Sequence, residues 1–179
     1  PPVYYWLLHL WNGLFGVALG QPPDSLALAS RLLSVFAGVL GVALLFPLAR
    51  GVLPPGRGAA AAGAIAALAA ACSPFWLAES QEARMYSVGF ALLSAAALAL
   101  LRSIDRQGEG RLASQGRLAS QRRLLPGSLA AFVLLATAAL LTHYNAVFVL
   151  VTWFAWWGVW ALLRPDRWRQ MARLLCAGL

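Results

Sequence analysis

Lysine is absent from this chain, and charge of either sign is scarce. Only 11% of the 179 residues are charged, against about a quarter in a soluble domain. The chain is 61% hydrophobic with a mean hydropathy of +0.71. One soluble core of this size could not bury so much apolar surface, whereas a bilayer can. Cysteine is nearly absent too: Cys72 and Cys176 both lie in apolar stretches, near opposite membrane faces in the topology below, which argues against a disulfide between them. There is no zinc-type Cys/His spacing, so no metal ligand is assigned. No Walker loop, HExxH, GxSxG or CxxC occurs, which leaves ATP hydrolysis, zinc proteolysis and serine hydrolysis without machinery. The net charge of +8 does not point to nucleic acid, because the arginines sit in short links between apolar runs rather than on a basic patch interleaved with aromatics. The all-arginine basic set reads as the bias of a GC-rich genome. The first residue is Pro1, and Leu174–Leu179 reads as the start of another apolar helix, so the expectation is a fragment open at both ends.

What is present is a series of apolar runs. A spanning helix needs about 17–25 mostly apolar residues. Five stretches qualify: 32–48, 59–77 with Pro74 near its far end, 86–101, 124–142 and 146–163. The fourth has its firm part at 129–142 and reaches back to 124 because Pro126 is tolerated in a first turn. The opening PPVYYWLLHLWNGLFG is too short to span, and its Tyr4, Tyr5, Trp6 and Trp11 suit the headgroup layer. Residues 1–30 are expected as an outer segment with an interfacial helix, on which His9 is a headgroup contact. The predicted fold is an all-α, polytopic transmembrane bundle of about five spans, one domain over 1–179.

Arginine gives the bundle a direction. Arg50 and Arg57, then Arg102, Arg106, Arg111, Arg117, Arg122 and Arg123, then Arg164, Arg167, Arg169 and Arg173 fall in alternate links, leaving only Arg31 and Arg84 in the other set. The positive-inside rule makes the first set cytoplasmic in a multi-pass inner (plasma) membrane protein. The acidic residues split evenly: Asp24, Glu79 and Glu82 outside, Asp105, Glu109 and Asp166 inside. The cytoplasmic loop, 102–123, holds a direct duplication, GRLASQ at 110–115 and again at 116–121. Two short units make no solenoid, and slippage in a tolerant loop accounts for them.

Polar side chains at membrane depth need a reason. Two outer clusters stand out. In CSPFWLAESQEARMY, 72–86, a helical reading puts Glu79, Glu82 and Tyr86 on one face and Ser80, Gln81 and Arg84 on another. Arg84 carries a planar fork suited to a phosphate, and a carboxylate beside it could orient that fork or accept sugar hydroxyls. The plainer alternative is a solvated Glu82/Arg84 pair with Tyr86 as an interfacial anchor. In THYN, 142–145, His143 could bind a phosphate or hydroxyl, or His143, Tyr144 and Asn145 could simply turn the chain at the interface. Trp153, Trp156, Trp157 and Trp160 suit lipid or helix packing, and the Ala/Gly-rich second run permits close helix contact.

The run SPFWLAESQEARMY resembles a signature of bacterial GT-C type membrane glycosyltransferases, the family 39 relatives of protein O-mannosyltransferases and of the aminoarabinose transferases that modify lipid A. Ser80, Gln81, Glu82, Ala83, Arg84, Met85 and Tyr86 match it. PPVYYWLLHLW resembles the family's PPLYY-type segment, LALASRLLSVFAG its arginine-containing approach to the next span, and LLTHYNAVFVL its later Leu-Thr-His/Lys-Tyr turn; together they cover most of 1–150. Where members often carry an aromatic residue before SQEAR, this chain has Glu79. The resemblance implies sugar transfer from a polyprenyl-phosphate donor on the outer face to a protein, lipid or glycan acceptor, with membrane lipids as surroundings and no cofactor beyond the lipid-linked substrate. It implies substrate-binding roles for Glu82, Arg84, Tyr86, His143 and Tyr144. The family's acidic base lies upstream of the PPLYY-type segment, so no catalytic residue is assigned. The competing expectation is a transporter or lipid flippase segment without covalent chemistry, which should carry ionisable groups near midplane on broken helices; this chain's midplane is nearly bare.

Overall fold

A computed structural model describes residues 2–15, 23–113 and 126–162. Seven helices make up the described chain, with no strand among these residues. They are α1 (Pro2–Leu14), α2 (Pro23–Val52), α3 (Arg57–Ala71), α4 (Pro74–Gln81), α5 (Met85–Ala113), α6 (Pro126–Thr142) and α7 (Ala146–Leu162).

Two of these, over Asp24–Val52 and Met85–Ser103, are long and apolar enough to cross a membrane. The count rises to three if the bent pair α3 and α4 is one span. This corrects the expectation of five. At 1.5 Å per residue, the 17-residue α6 and α7 reach about 25 Å, short of a hydrocarbon layer of about 30 Å.

The boundaries differ from the sequence reading in three places, each with a local cause. The second run, 59–77, is not one helix: α3 and α4 meet at 58° across Cys72 and Ser73. Pro74 has no N–H and crowds the residue before it, and Ser73 is accordingly extended (φ −70°, ψ 119°). Helix α2 starts at Pro23, inside the expected 1–30 outer segment, so Arg31 lies on a helix rather than in a link. Helix α5 continues to Ala113, so the first half of the expected 102–123 cytoplasmic loop is helical. The rest of that loop, including the second GRLASQ unit, lies outside the described residues, as do Cys176 and the last four arginines.

Helices α2 and α5 form the spine and run parallel. Ser34 reaches Arg84, Leu33 clusters with Val88, a Cβ on Gly41 would strike Phe90, and one on Gly51 would touch Leu101. Helix α6 returns antiparallel beside α5, bringing His143 back to Gly89 near the start of α5. One core cluster joins Ala96, Ala99, Phe132, Ala136 and Leu150. A second joins Tyr4 of α1, Leu33 of α2 and Val88 of α5. Small residues let the backbones close up: a Cβ on Gly63 of α3 would lie 2.7 Å from the Phe46 carbonyl oxygen of α2. The outward faces stay greasy, with Phe36, Val39, Leu134, Phe148, Val151 and Trp156 exposed, as suits helices surrounded by lipid.

The geometry also sorts charge. Arg84 lies at the end of the spine where α5 begins and α6 finishes, while Arg50 and Arg102 lie at the opposite end, where Gly51 approaches Leu101.

Candidate functional site

The helical reading of 79–86 does not hold through the whole run. Helix α4 ends at Gln81, Glu82 turns extended (φ −88°, ψ 139°), and α5 resumes at Met85. The link is tight, with the Arg84 N–H donating to the Glu82 carbonyl at 2.8 Å. Glu82 and Arg84 therefore sit on one short non-helical turn instead of opposite helix faces. Their side chains pair, Arg84 Nε to Glu82 Oε2 at 2.7 Å, at 60% and 51% exposure. A pair this exposed adds at most about 1 kcal/mol to stability. Its consequence is geometric: the carboxylate engages Nε, and among the described residues neither Nη group makes an ion pair.

Beneath the turn lie two fully buried serines. The Ser34 hydroxyl of α2 donates to the Arg84 carbonyl oxygen at 3.3 Å, and the Ser87 hydroxyl of α5 donates to the Glu79 carbonyl oxygen at 3.3 Å. The second satisfies a carbonyl in the last turn of α4, where no helical partner is available, and the first adds a bond to the carbonyl at the N-cap of α5. Glu79 itself keeps one carboxylate oxygen, Oε2, buried and without a hydrogen bond.

The second cluster meets the first. His143 is 9% exposed, with its ring 5.2 Å from Tyr86 and stacked on Tyr144 at 5.1 Å. The Asn145 N–H donates to His143 Nδ1 at 3.0 Å, which makes Nδ1 the acceptor and leaves Nε2 as the ring's N–H. Below it, the Thr142 hydroxyl donates back to the Ala138 carbonyl at 2.7 Å, closing the end of α6. Tyr144 projects from the turn at 75% exposure. Of the five residues singled out by sequence, the structure joins Tyr86, His143 and Tyr144 in one run of ring contacts and Glu82 and Arg84 in one ion pair, with Tyr86 two positions after Arg84 in the chain.

Three contributors escaped the sequence reading: Ser34, Ser87 and Tyr4. Tyr4 is 4% exposed, its ring packed with Leu33 and Val88, and its hydroxyl has no hydrogen-bond partner. Burial pushes the phenol above its ordinary 10.0; the Ser34 hydroxyl lies close enough to oppose that shift, without the geometry of a hydrogen bond. A signal for Ser34 exists. Ser30, Ser34, Gly38 and Gly41 recur at three- and four-residue steps along α2, a small-residue stripe facing α4 and α5.

Among the described residues no group of three or more His, Cys, Asp or Glu is placed to hold a metal ion. Comparison with known proteins adds nothing to this geometry: no family model matches the chain, and neither the curated proteins nor the solved structures contain a match.

Proposed function

We propose that this chain is part of a GT-C type membrane glycosyltransferase of the bacterial inner membrane, which moves a sugar from a polyprenyl-phosphate donor to an acceptor at the outer face. The observation that carries the reading is the meeting of the Arg84 turn with the His143 turn at one end of the bundle, Tyr86 lying 5.2 Å from the His143 ring. That end carries Arg31 and Arg84, while Arg50, Arg57 and Arg102 lie at the other, a bias in the direction expected if the site faces outward. The likeness of Ser80–Tyr86 to the family signature supports the same reading. In this proposal α6 and α7 cross as short spans, accommodated by local bilayer thinning.

In the transfer step, the bond from the sugar's anomeric carbon to the carrier phosphate oxygen breaks, and a bond to the acceptor oxygen forms. Charge grows on the leaving phosphate, where the Nη groups of Arg84 stabilise it. The Nε2–H of His143 donates to a phosphate or sugar oxygen, and the exposed Tyr144 face covers the sugar. The acceptor proton passes to a base that none of these residues supplies. Acceptor identity, whether protein, lipid or glycan, is set outside this site.

Arg84→Ala in the full-length protein is the test. With one charge-stabilising donor removed, transfer should fall by about 10²–10³ while helix content and thermal stability stay at wild-type levels. Wild-type turnover in that variant refutes the phosphate-binding role. One observation favours transport instead: the 58° break between α3 and α4 is the kind of interruption transporters use. Translocation of a labelled polyprenyl phosphate by reconstituted protein, without sugar release, would select that reading.

A further inference from the structure

Helix α1 is fastened to the bundle by two of its aromatic residues and turns other rings outward. Tyr4 packs with Leu33 and Val88, and Trp11 donates its indole N–H to the Ala29 carbonyl at 2.9 Å. The outward face carries Tyr5, Trp6 and His9, all exposed, the first two at 61% and 68%. They line an open concavity of about 380 Å³, within the range of about 300–1,000 Å³ usual for small-molecule sites. Tyr5 and His9 stand one turn apart on the helix. The Tyr5 ring meets the anchored Tyr4 ring edge to face at 5.5 Å, so it is held by the core behind it.

The chemistry of the three lining side chains selects an occupant. Each is a ring with a polar edge, and among the described residues none of those edges makes a hydrogen bond. Trp11 gives the contrast: on the same helix its N–H is engaged by the fold, while that of Trp6 is free. No arginine, aspartate or glutamate is among the lining residues, so a phosphate headgroup finds no fixed counter-charge there. A neutral pyranose has the matching surface, a face of C–H bonds to lie on a ring and a rim of hydroxyls that donate and accept. The Tyr5 hydroxyl does both, the Trp6 indole donates, and His9 adds two ring nitrogens. The place fits as well. Val88, on which Tyr4 rests, is one turn along α5 from Arg84, so the concavity adjoins the Arg84 turn and shares no residue with it.

We propose that Tyr5, Trp6 and His9 form a saccharide subsite, on which a neutral pyranose of the acceptor stacks while the donor phosphate lies at Arg84. The acceptor is then a glycan or glycolipid rather than a bare polypeptide. Sugar binding stands on α1 alone; its role in transfer rests on the transferase reading of Arg84, and the experiment separates the two.

The full chain in phosphatidylcholine nanodiscs is titrated with cellotriose, a neutral soluble chain of pyranoses, and separately loaded with undecaprenyl monophosphate. Cellotriose binding is read by saturation-transfer NMR. The emission of Trp6 is taken as wild type minus Trp6→Ala, and its quenching by aqueous iodide is measured with and without the sugar. Trp6→Ala and His9→Ala should each weaken cellotriose at least about fivefold and leave undecaprenyl monophosphate binding alone, and Arg84→Ala should do the reverse. Cellotriose should shield Trp6 from iodide. Both α1 side chains are exposed, so thermal stability should stay at the wild-type value. No cellotriose binding, or binding that neither Trp6→Ala nor His9→Ala weakens, overturns the subsite. So does a Trp6 emission that iodide fails to reach in sugar-free discs, which puts the ring among lipids as a membrane anchor. Cellotriose binding that depends on Trp6, together with undecaprenyl monophosphate binding that Arg84→Ala leaves unaltered, keeps the saccharide subsite and overturns the phosphate site instead.

Discussion

Replacing Gly41 by alanine tests the packing on which the site stands. A Cβ built on Gly41 falls 2.4 Å from Phe90 Cδ1 and 2.6 Å from Cε1. Ordinary carbon contacts sit at about 3.5–4.0 Å, so more than an ångström of relief is needed. The ring is not free to swing, because it is stacked on Trp76 of α4 at 4.1 Å with 26° between the planes. Relief therefore means unstacking the rings or moving α4 away from α2. Overpacking of this kind costs about 1–3 kcal/mol, set against a gain of up to about 1 kcal/mol for alanine over glycine in a helix. Gly158 in α7 isolates that gain, since among the described residues nothing lies within 4 Å of the place its Cβ would take. Reversible unfolding in mixed detergent micelles, followed by circular dichroism, should show Gly158→Ala neutral or more stable and Gly41→Ala less stable by about 1–2 kcal/mol. Adding Phe90→Leu to Gly41→Ala should recover at least about 1 kcal/mol relative to the sum of the single changes. A Gly41→Ala protein as stable as Gly158→Ala refutes the close approach of α2 to α5, and strict additivity refutes the Phe90 wedge.

Orientation and the buried phenol can each be checked directly. With Cys72 and Cys176 replaced by serine, a cysteine at Gln81 should react with an impermeant maleimide in intact cells and one at Arg57 should not; the reverse pattern inverts the orientation. Burial raises the Tyr4 phenol above 10.0, so the unfolded chain releases this proton first as pH climbs. The stability held by the neutral phenol is therefore complete below pH 10 and falls away as pH rises from there through the folded value. Tyr4→Phe should lose less stability than wild type over that alkaline window, and parallel curves would show that the phenol is not buried.

The all-helical class was legible because apolar runs of this length and charge content have few other uses. Near the start of α6 the reading came close, 124 against Pro126, with the proline in a first turn as expected. The number of crossings was not legible, because apolarity reports solvent preference and says little about where a helix breaks. Ser73–Pro74 carries the break in two residues whose hydropathy is unremarkable, so a window average passes over it. Charge misled in the other direction at the end of α5. Arg102, Asp105, Arg106 and Glu109 read as a loop by polarity, yet Asp105 follows Arg102 and Glu109 follows Arg106 by three residues, a spacing that supports a helix outside the apolar layer. At the site, residue types pointed to Arg84 and His143, but the supports could not be read off. Ser34 is fifty positions from Arg84, and only the parallel register of α2 and α5 brings the two together.

That register also explains how an arginine on a broken backbone can persist at the end of an apolar bundle. Non-helical backbone at membrane depth is tolerated where protein buries it or where it lines a cavity. Here the Glu82 carbonyl is met by the Arg84 N–H, and the carbonyls flanking the break receive hydroxyls, Arg84 from Ser34 and Glu79 from Ser87, both serines being fully buried on the spine helices. The exposed ion pair contributes little to holding the turn, so the serines carry that role and the charge is left available. A turn needed only to reverse the chain could have been closed by helix capping, without two serines committed from α2 and α5. The shape of this one is set by the spine while its guanidinium stays exposed. That division is what a site needs if it is to meet an anionic headgroup without rebuilding its own backbone.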